Sequence, residues 1–148
     1  MKISNRFTMA VHIIAMTEIL KDSKDYICTS EVLAKSVNTN PVVIRRIISK
    51  LKSAGILAVR SGVGGTYLIQ DINHLNLLDV YNAVEVVEEN QLFNCHTDEN
   101  CECSIGANIH IILKEILTNT QITMENMLKA IDMAQIVNSI KANLTCKQ

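Results

Sequence analysis

The chain has 148 residues, 48% of them apolar, and a formal net charge of −1 at pH 7. It is long enough to bury one hydrophobic core, and its total charge does not indicate a nucleic-acid partner. It has no run of about 18 apolar residues and no N-terminal apolar segment with a cleavage site, so we expect a cytoplasmic protein. Because the cytosol keeps thiols reduced, its five cysteines are not expected to form a structural disulfide framework.

The charges are separated along the chain. Residues 32–70 contain basic side chains and no acidic one, namely Lys35, Arg45, Arg46, Lys50, Lys52 and Arg60. Residues 71–102 contain acidic side chains and no Lys or Arg, namely Asp71, Asp79, Glu85, Glu88, Glu89, Asp98, Glu99 and Glu102. This asymmetry is expected when one part of a protein faces an anion and another part does not.

The N-terminal third of the chain predicts three helices. Aliphatic residues recur at helical spacing from residue 3 to about 21, and either Thr29 or Ser30 can cap a short second helix. Asn40 followed by Pro41 predicts the start of a third helix, because Asn can cap it and Pro loses no hydrogen bond at the first helical position. The third helix is predicted to run to Ala54, and one of its faces carries Val42, Arg45, Arg46, Ser49 and Lys50.

The stretch "ILAVRSGVGGTYLIQ" after the third helix predicts a β-hairpin, in which Gly62, Gly64 and Gly65 supply positive φ angles. Three helices followed by a hairpin is the order of a winged helix-turn-helix. A helix of this length fits the major groove of B-DNA, where Arg and Lys reach guanine edges or phosphates. The alternative interpretation is a winged helix that binds another protein.

The C-terminal half predicts a helix in "LNLLDVYNAVEVV", a long helix from Ser104 and a final helix from about Met133. The long helix carries an isoleucine seam at Ile105, Ile109, Ile112 and Ile116. A helix of roughly 25 residues is too long for one small core to cover, so the seam predicts contact with a second copy of the chain. The alternative is that the first and last helices of the same chain cover it.

These motifs in this order resemble a family of bacterial winged-helix regulators, the Rrf-two family typified by IscR, NsrR and CymR. The resemblance rests on "MKISNRFTMAVHII", "NPVVIRRIISKLKSAGIL", "SGVGGTYLI", "LLDVYNAVE" and a cysteine loop before a long helix. It implies a homodimeric transcription factor, usually a repressor. Its DNA-binding region would be residues 1–72, and residues 73–148 would hold a sensor loop and the dimerisation helices within the same compact protomer.

The resemblance also implies DNA-contacting residues. In the third helix these are Pro41, Val42, Arg45, Arg46 and Lys50, with Ser49 on the same face, and Thr29 and Ser30 would contact phosphates. In the wing we expect contacts from Arg60, Gly62, Gly64 and Gly65. Many family members have Arg directly before the first wing glycine, whereas this chain has Ser61 there and its cation one position earlier, at Arg60.

The stretch "NCHTDENCECSIG" carries Cys95, Cys101 and Cys103, and three interpretations of it remain open. The cysteines can form a thiol switch, with Cys103 near a helix N-terminus and either Cys95 or Cys146 of a second copy of the chain as its disulfide partner. They can bind a metal or an iron-sulfur cluster, although one residue between Cys101 and Cys103 is not the family's ligand spacing. They can also belong to a loop with no sensing chemistry.

The function that we predict from the sequence is therefore a homodimeric, double-stranded-DNA-binding regulator, with redox control by residues 94–104. An iron-sulfur or metal-sensing repressor and a protein-interaction module are the alternatives. No catalytic residue is predicted, because no orienting residue, phosphate loop or carboxylate pair accompanies the cysteines.

Overall fold

The computed structural model describes residues 5–23, 25–85 and 104–146. Within these ranges the helices are α1 (Asn5–Ile19), α2 (Ser30–Val37), α3 (Pro41–Ser53), α4 (Leu77–Val84), α5 (Ser104–Lys129) and α6 (Met133–Thr145). Two strands, β1 (Leu57–Val59) and β2 (Thr66–Leu68), form an antiparallel hairpin after α3. The prediction of a mainly α protein with a small β wing is confirmed. No helix in the described ranges is long and apolar enough to cross a membrane.

The helix-turn-helix owes its geometry to side-chain caps. The Thr29 hydroxyl accepts a hydrogen bond from the backbone N–H of Val32 at 3.3 Å, which starts α2. Asn38, at φ 57°, ends α2 in the left-handed conformation that Asn tolerates. The Asn40 side chain then accepts from the N–H of Val42 at 2.8 Å and starts α3. Of the two predicted caps for α2, Thr29 is the one used.

The wing turn uses its glycines in different ways. Gly62 and Gly65 have positive φ angles of 76° and 66°, as predicted. The prediction for Gly64 is wrong, because Gly64 has no positive φ and lies in a short 3₁₀ turn, Gly62–Gly64. A Cβ atom at Gly64 would lie 2.3 Å from the Cβ of Arg60, so glycine is required there by close packing.

One hydrophobic core joins the winged helix to the C-terminal helices. α1 lies at its centre and packs against α2, α3, α4 and α6. The fully buried side chains at the centre of this core include Ile13, Ile14, Leu33, Ile44, Leu51, Val80, Val84 and Met133. Because these residues come from both halves of the chain, α4 and α6 hold a fixed position relative to α3.

Backbone hydrogen bonds fix the start of α4 against the turn between α5 and α6. The N–H of Leu77 donates to the carbonyl of Ile131 at 2.9 Å, and the N–H of Met133 donates to the carbonyl of Leu75 at 2.8 Å. Asn76 caps α4 in a reciprocal capping box with its third residue, Asp79. The long helix α5 is thereby attached to the winged helix at its C-terminal end.

Candidate nucleic-acid interface

The exposed face of α3 is polar and cationic. Ile44, Ile47 and Leu51 are buried on the opposite face, as the helical period requires. The predicted residues Val42, Arg45, Arg46 and Ser49 are all exposed, whereas Pro41 at the helix start is half-buried. Because this face is exposed, its side chains are accessible to a partner as large as double-stranded DNA.

The guanidinium of Arg45 is held by two side chains at the start of α2. Its Nε–H donates to the Ser30 hydroxyl at 3.2 Å, and its Nη2 lies 2.7 Å from a carboxylate oxygen of Glu31. All three side chains face solvent or the adjoining groove. The predicted reader Arg45 and the predicted phosphate contact Ser30 are therefore neighbours, and the N-terminus of α2 orients a side chain of α3.

Glu31 is ionised in this arrangement. A hydrogen bond with its own backbone amide, followed in size by its hydrogen bonds with Arg45 and Ser30, lowers the pKa of its carboxyl group. Its place in the first turn of α2 is also where a negative charge is favoured by the helix dipole. Glu31 was not among the site residues predicted from the sequence, because no local pattern pairs it with an arginine 14 positions later.

Lys50 lies away from the exposed face. Its Nζ donates to the carbonyl oxygen of Val84 at 2.7 Å and so satisfies an acceptor in the last turn of α4. The prediction grouped Lys50 with Arg46 and Ser49 on one face, but in the structure its ammonium contacts the C-terminal end of a neighbouring helix.

Lys52 flanks the exposed face of α3 on the side opposite to Lys50. It lines a groove of about 480 Å³ that runs between the start of α2, α3 and the wing. The walls of this groove are formed by Thr29, Ser30, Glu31, Arg45, Ile48, Ser49, Lys52, Val59, Arg60, Gly62, Gly65 and Thr66. Seven of the residues proposed from the sequence lie in it, namely Thr29, Ser30, Arg45, Ser49, Arg60, Gly62 and Gly65.

The wing is held close to α2. Gly65 packs so tightly that a Cβ there would lie 2.6 Å from Cγ2 of Ile27, and the N–H of Thr66 donates to the carbonyl of Cys28 at 2.9 Å. Arg60 stacks over the Tyr67 ring, with its guanidinium carbon 4.8 Å from the ring centroid. A cation stacked on an aromatic ring keeps its N–H groups at the ring edge, where they can still donate to a phosphate.

The seam of α5 is exposed. Ile105, Ile109, Ile112 and Ile116 are 75%, 38%, 54% and 53% exposed, respectively. The contacts of α5 with the rest of the chain lie nearer its C-terminal end, where Gln121 is buried. The alternative that the first and last helices cover the seam is therefore wrong for these four side chains.

The predicted sensor cysteines Cys95, Cys101 and Cys103 lie outside the described residues. Cys28 is buried, and burial raises the pKa of its thiol, with a hydrogen bond to Thr17 acting in the opposite direction. Cys146 is exposed at the end of α6. Within residues 5–23, 25–85 and 104–146, no three His, Cys, Asp or Glu side chains are grouped to hold a metal.

These features define a winged-helix protein whose third helix exposes a cationic face, and comparison with known proteins places it in a family. The Rrf2 family of iron-dependent transcriptional regulators matches residues 3–139. YwnA of Bacillus subtilis strain 168, named as an HTH-type transcriptional regulator, is 41% identical over 138 residues, which are 93% of this chain and 98% of YwnA.

Solved structures agree with this assignment. The crystal structure of a protein described as DNA-binding matches with a TM-score of 0.67 and 37% identity, over 88% of this chain and 97% of that one. CymR of B. subtilis, the global cysteine regulator, matches in fold with a TM-score of 0.66 and 16% identity, over 94% of this chain and 98% of CymR. The chain belongs to the Rrf2 family. It is a DNA-binding transcriptional regulator and not an enzyme.

Proposed function

We propose that the protein is a homodimeric repressor that binds a two-half-site operator through α3 and the wing, and that the cysteines of residues 94–104 control its affinity. The observation that carries this proposal is the cationic groove between α2, α3 and the wing. Repression follows when a bound dimer occupies a promoter. Because its target is chromosomal DNA, we place the protein in the bacterial cytoplasm.

The groove supports a specific mode of binding. Arg45, Arg46 and Ser49 project from α3, which would enter the major groove with its N-terminal half, where Pro41 and Val42 lie. Thr29 at the N-terminus of α2 would contact a phosphate, since helix N-termini favour anions. Arg60 and the small residue Gly62 would bring the wing to the backbone or the minor groove.

The exposed seam of α5 supports the homodimer. The helix has 26 residues, which corresponds to a length of about 39 Å. Four isoleucines exposed in a single row would contribute unfavourably to solubility unless a second surface covered them. A twofold axis along α5 would pair the two rows and set two α3 helices on one face of the DNA.

The test of DNA binding is fluorescence anisotropy with duplexes from the promoter of the protein's own gene, titrated at several salt concentrations. We expect preference for one duplex over a scrambled control, and log Kd that rises linearly with log salt because counterions are released. Arg46→Ala should weaken binding to every duplex, whereas Lys35→Ala, which removes an exposed cation of α2 and leaves the face of α3 unchanged, serves as the control. Equal affinity for all duplexes at all salt concentrations would exclude this function.

The control by cysteines is supported by the sequence alone, since Cys103 immediately precedes α5 and Cys95 and Cys101 lie shortly before it. Oxidation of two thiols by a peroxide would form one disulfide, with the two thiol hydrogens passing to the peroxide, which is reduced to two waters. Treatment with hydrogen peroxide should change DNA affinity, and replacement of Cys95 and Cys103 by Ser should remove that change. Cys28→Ser is the control, because Cys28 is buried. Persistence of the effect in the Cys95 and Cys103 variant would contradict this assignment.

Cluster binding is the second candidate, favoured by the iron-dependence in the family's description. The same three cysteines would be the ligands, with thiolates as the donors that iron-sulfur clusters require. Protein purified without oxygen should then be brown, with visible absorption and equal iron and sulfide. Colourless protein without iron would leave the disulfide proposal standing alone.

A further inference from the structure

Among the described residues, those that line the groove include one acidic side chain, which is Glu31. A carboxylate on a surface that binds phosphates reduces affinity, because like charges repel. The helix dipole of α2 explains why an acid is favourable at this position, but it does not explain the contact with Arg45. The geometry of that contact indicates what Glu31 does.

The two hydrogen bonds of Arg45 engage one edge of its guanidinium. Nε binds the Ser30 hydroxyl and Nη2 binds Glu31, and these two nitrogens share one edge of the planar group. A guanidinium has five N–H groups in one plane, and two contacts on one edge fix the orientation of that plane. The opposite edge consists of Nη1 and the second hydrogen of Nη2, and neither of the contacts with Ser30 and Glu31 involves Nη1.

That opposite edge has the chemistry of a guanine reader. Arginine recognises guanine by donating two parallel hydrogen bonds to O6 and N7 in the major groove. Such a pair forms at lower cost when the side chain is already oriented, because less rotamer freedom is lost on binding. In the DNA complex the contact with Glu31 would also be stronger than in water, since the interface excludes solvent.

We propose that Glu31, together with Ser30, is a positioning residue that orients Arg45 to read a guanine in the operator. This inference rests on the proposed entry of α3 into the major groove. Glu31 itself contributes no attraction for DNA and makes no base contact in this arrangement. Its effect on sequence discrimination is confined to one base pair and passes through Arg45, whereas its charge repulsion acts on all duplexes alike.

The experiment uses the full-length protein and a duplex that the unmodified protein selects from a random pool. A panel of duplexes, each with one base pair replaced, measures the discrimination at every position by anisotropy. The variants are Glu31→Gln, Arg45→Ala and the double variant. Asp22→Asn is the matched control, because it removes one exposed negative charge outside the groove. Circular dichroism confirms that each variant is folded.

We expect Arg45→Ala to reduce discrimination at one G·C pair by roughly 5- to 140-fold, the range of a lost bidentate contact. Glu31→Gln should reduce discrimination at the same pair by roughly three- to tenfold and leave the other positions unchanged. In the Arg45→Ala background, Glu31→Gln should cause no further loss of discrimination, because both residues act through one contact.

Two results would overturn the inference while leaving the proposed function intact. Glu31→Gln could strengthen binding to all duplexes equally, both in the otherwise unmodified protein and in the Arg45→Ala background, and Glu31 would then be only a repulsive charge. Alternatively, discrimination at the Arg45-dependent pair could be unchanged in Glu31→Gln. A protein that selects no sequence from the pool would instead contradict the proposed function, and the inference with it.

Discussion

Gly62 and Gly65 both have positive φ angles, yet their surroundings differ. A Cβ at Gly62 would meet nothing within 4 Å, whereas a Cβ at Gly65 would lie 2.6 Å from Ile27 and 3.2 Å from the backbone of Cys28. Gly65 therefore combines a conformational requirement with a close approach between the wing and the segment before α2. The sequence shows the glycines but not which of them carries both requirements.

Substituting Gly62 and Gly65 separately by alanine tests this difference. Gly62→Ala should lower the free energy of unfolding by about 1 kcal/mol, from backbone strain alone. Gly65→Ala should lower it by about 3 kcal/mol, because overpacking adds to the strain. Urea unfolding followed by circular dichroism measures both values. Equal losses in the two variants would show that the contact with Ile27 relaxes without cost.

The two lysines near the end of α3, Lys50 and Lys52, have different surroundings. Lys50 and Lys52 lie about 80° to either side of the centre of the exposed face, at about 100° per residue. Packing breaks this equivalence, because α4 lies beside Lys50 and the groove lies beside Lys52. One lysine caps a helix and the other faces the proposed DNA site.

These positions predict opposite effects for two similar substitutions. Lys52→Ala should reduce the slope of log Kd against log salt by about 1, as expected for one lost phosphate contact. Lys50→Ala should leave that slope nearly unchanged and lower the free energy of unfolding by about 1 kcal/mol, because the Val84 carbonyl loses its donor. Anisotropy titrations and urea unfolding provide the two readouts. A reduced slope for Lys50→Ala would place its ammonium on DNA instead.

In the whole molecule, the seam of α5 lies outside the hydrophobic core, which is centred on α1. The backbone hydrogen bonds of Leu77 and Met133 hold the C-terminal end of α5 near the winged helix, while its N-terminal half carries the exposed seam of Ile105, Ile109, Ile112 and Ile116. A dimer formed through that half would fix the distance between two copies of α3. In the proposed dimer, operator binding by two half-sites would therefore depend on a surface remote from the DNA.

Replacement of both Ile109 and Ile112 by Asp tests this dependence. Two carboxylates in the seam should yield a monomer by light scattering, and affinity for a two-half-site duplex should fall by roughly 100-fold through lost avidity. Affinity for a single half-site should be unchanged. Lys114→Glu, about 180° around the helix from the seam, is the control for charge. A dimer that persists in the double Asp variant would exclude the seam as the interface.

Local patterns in the sequence were sufficient for the elements and for much of the site. Asn40 with Pro41 marked the start of α3, Thr29 or Ser30 marked the start of α2, and the isoleucine period located both the core face of α3 and the exposed seam of α5. Each of these depends on residues within one or two helical turns, so it can be derived without the tertiary structure. The family assignment, predicted from ordered motifs, is likewise confirmed.

Contacts between residues distant in sequence were decided only by the fold. The sequence alone determined the helices, the wing and the class of protein, because capping, periodicity and turn chemistry are local. The tertiary structure decided that Lys50 binds Val84 while Lys52 faces the groove, that Gly64 is needed for packing, and that Glu31 meets Arg45. These outcomes depend on which elements become neighbours, and that is set by the packing of the shared core around α1.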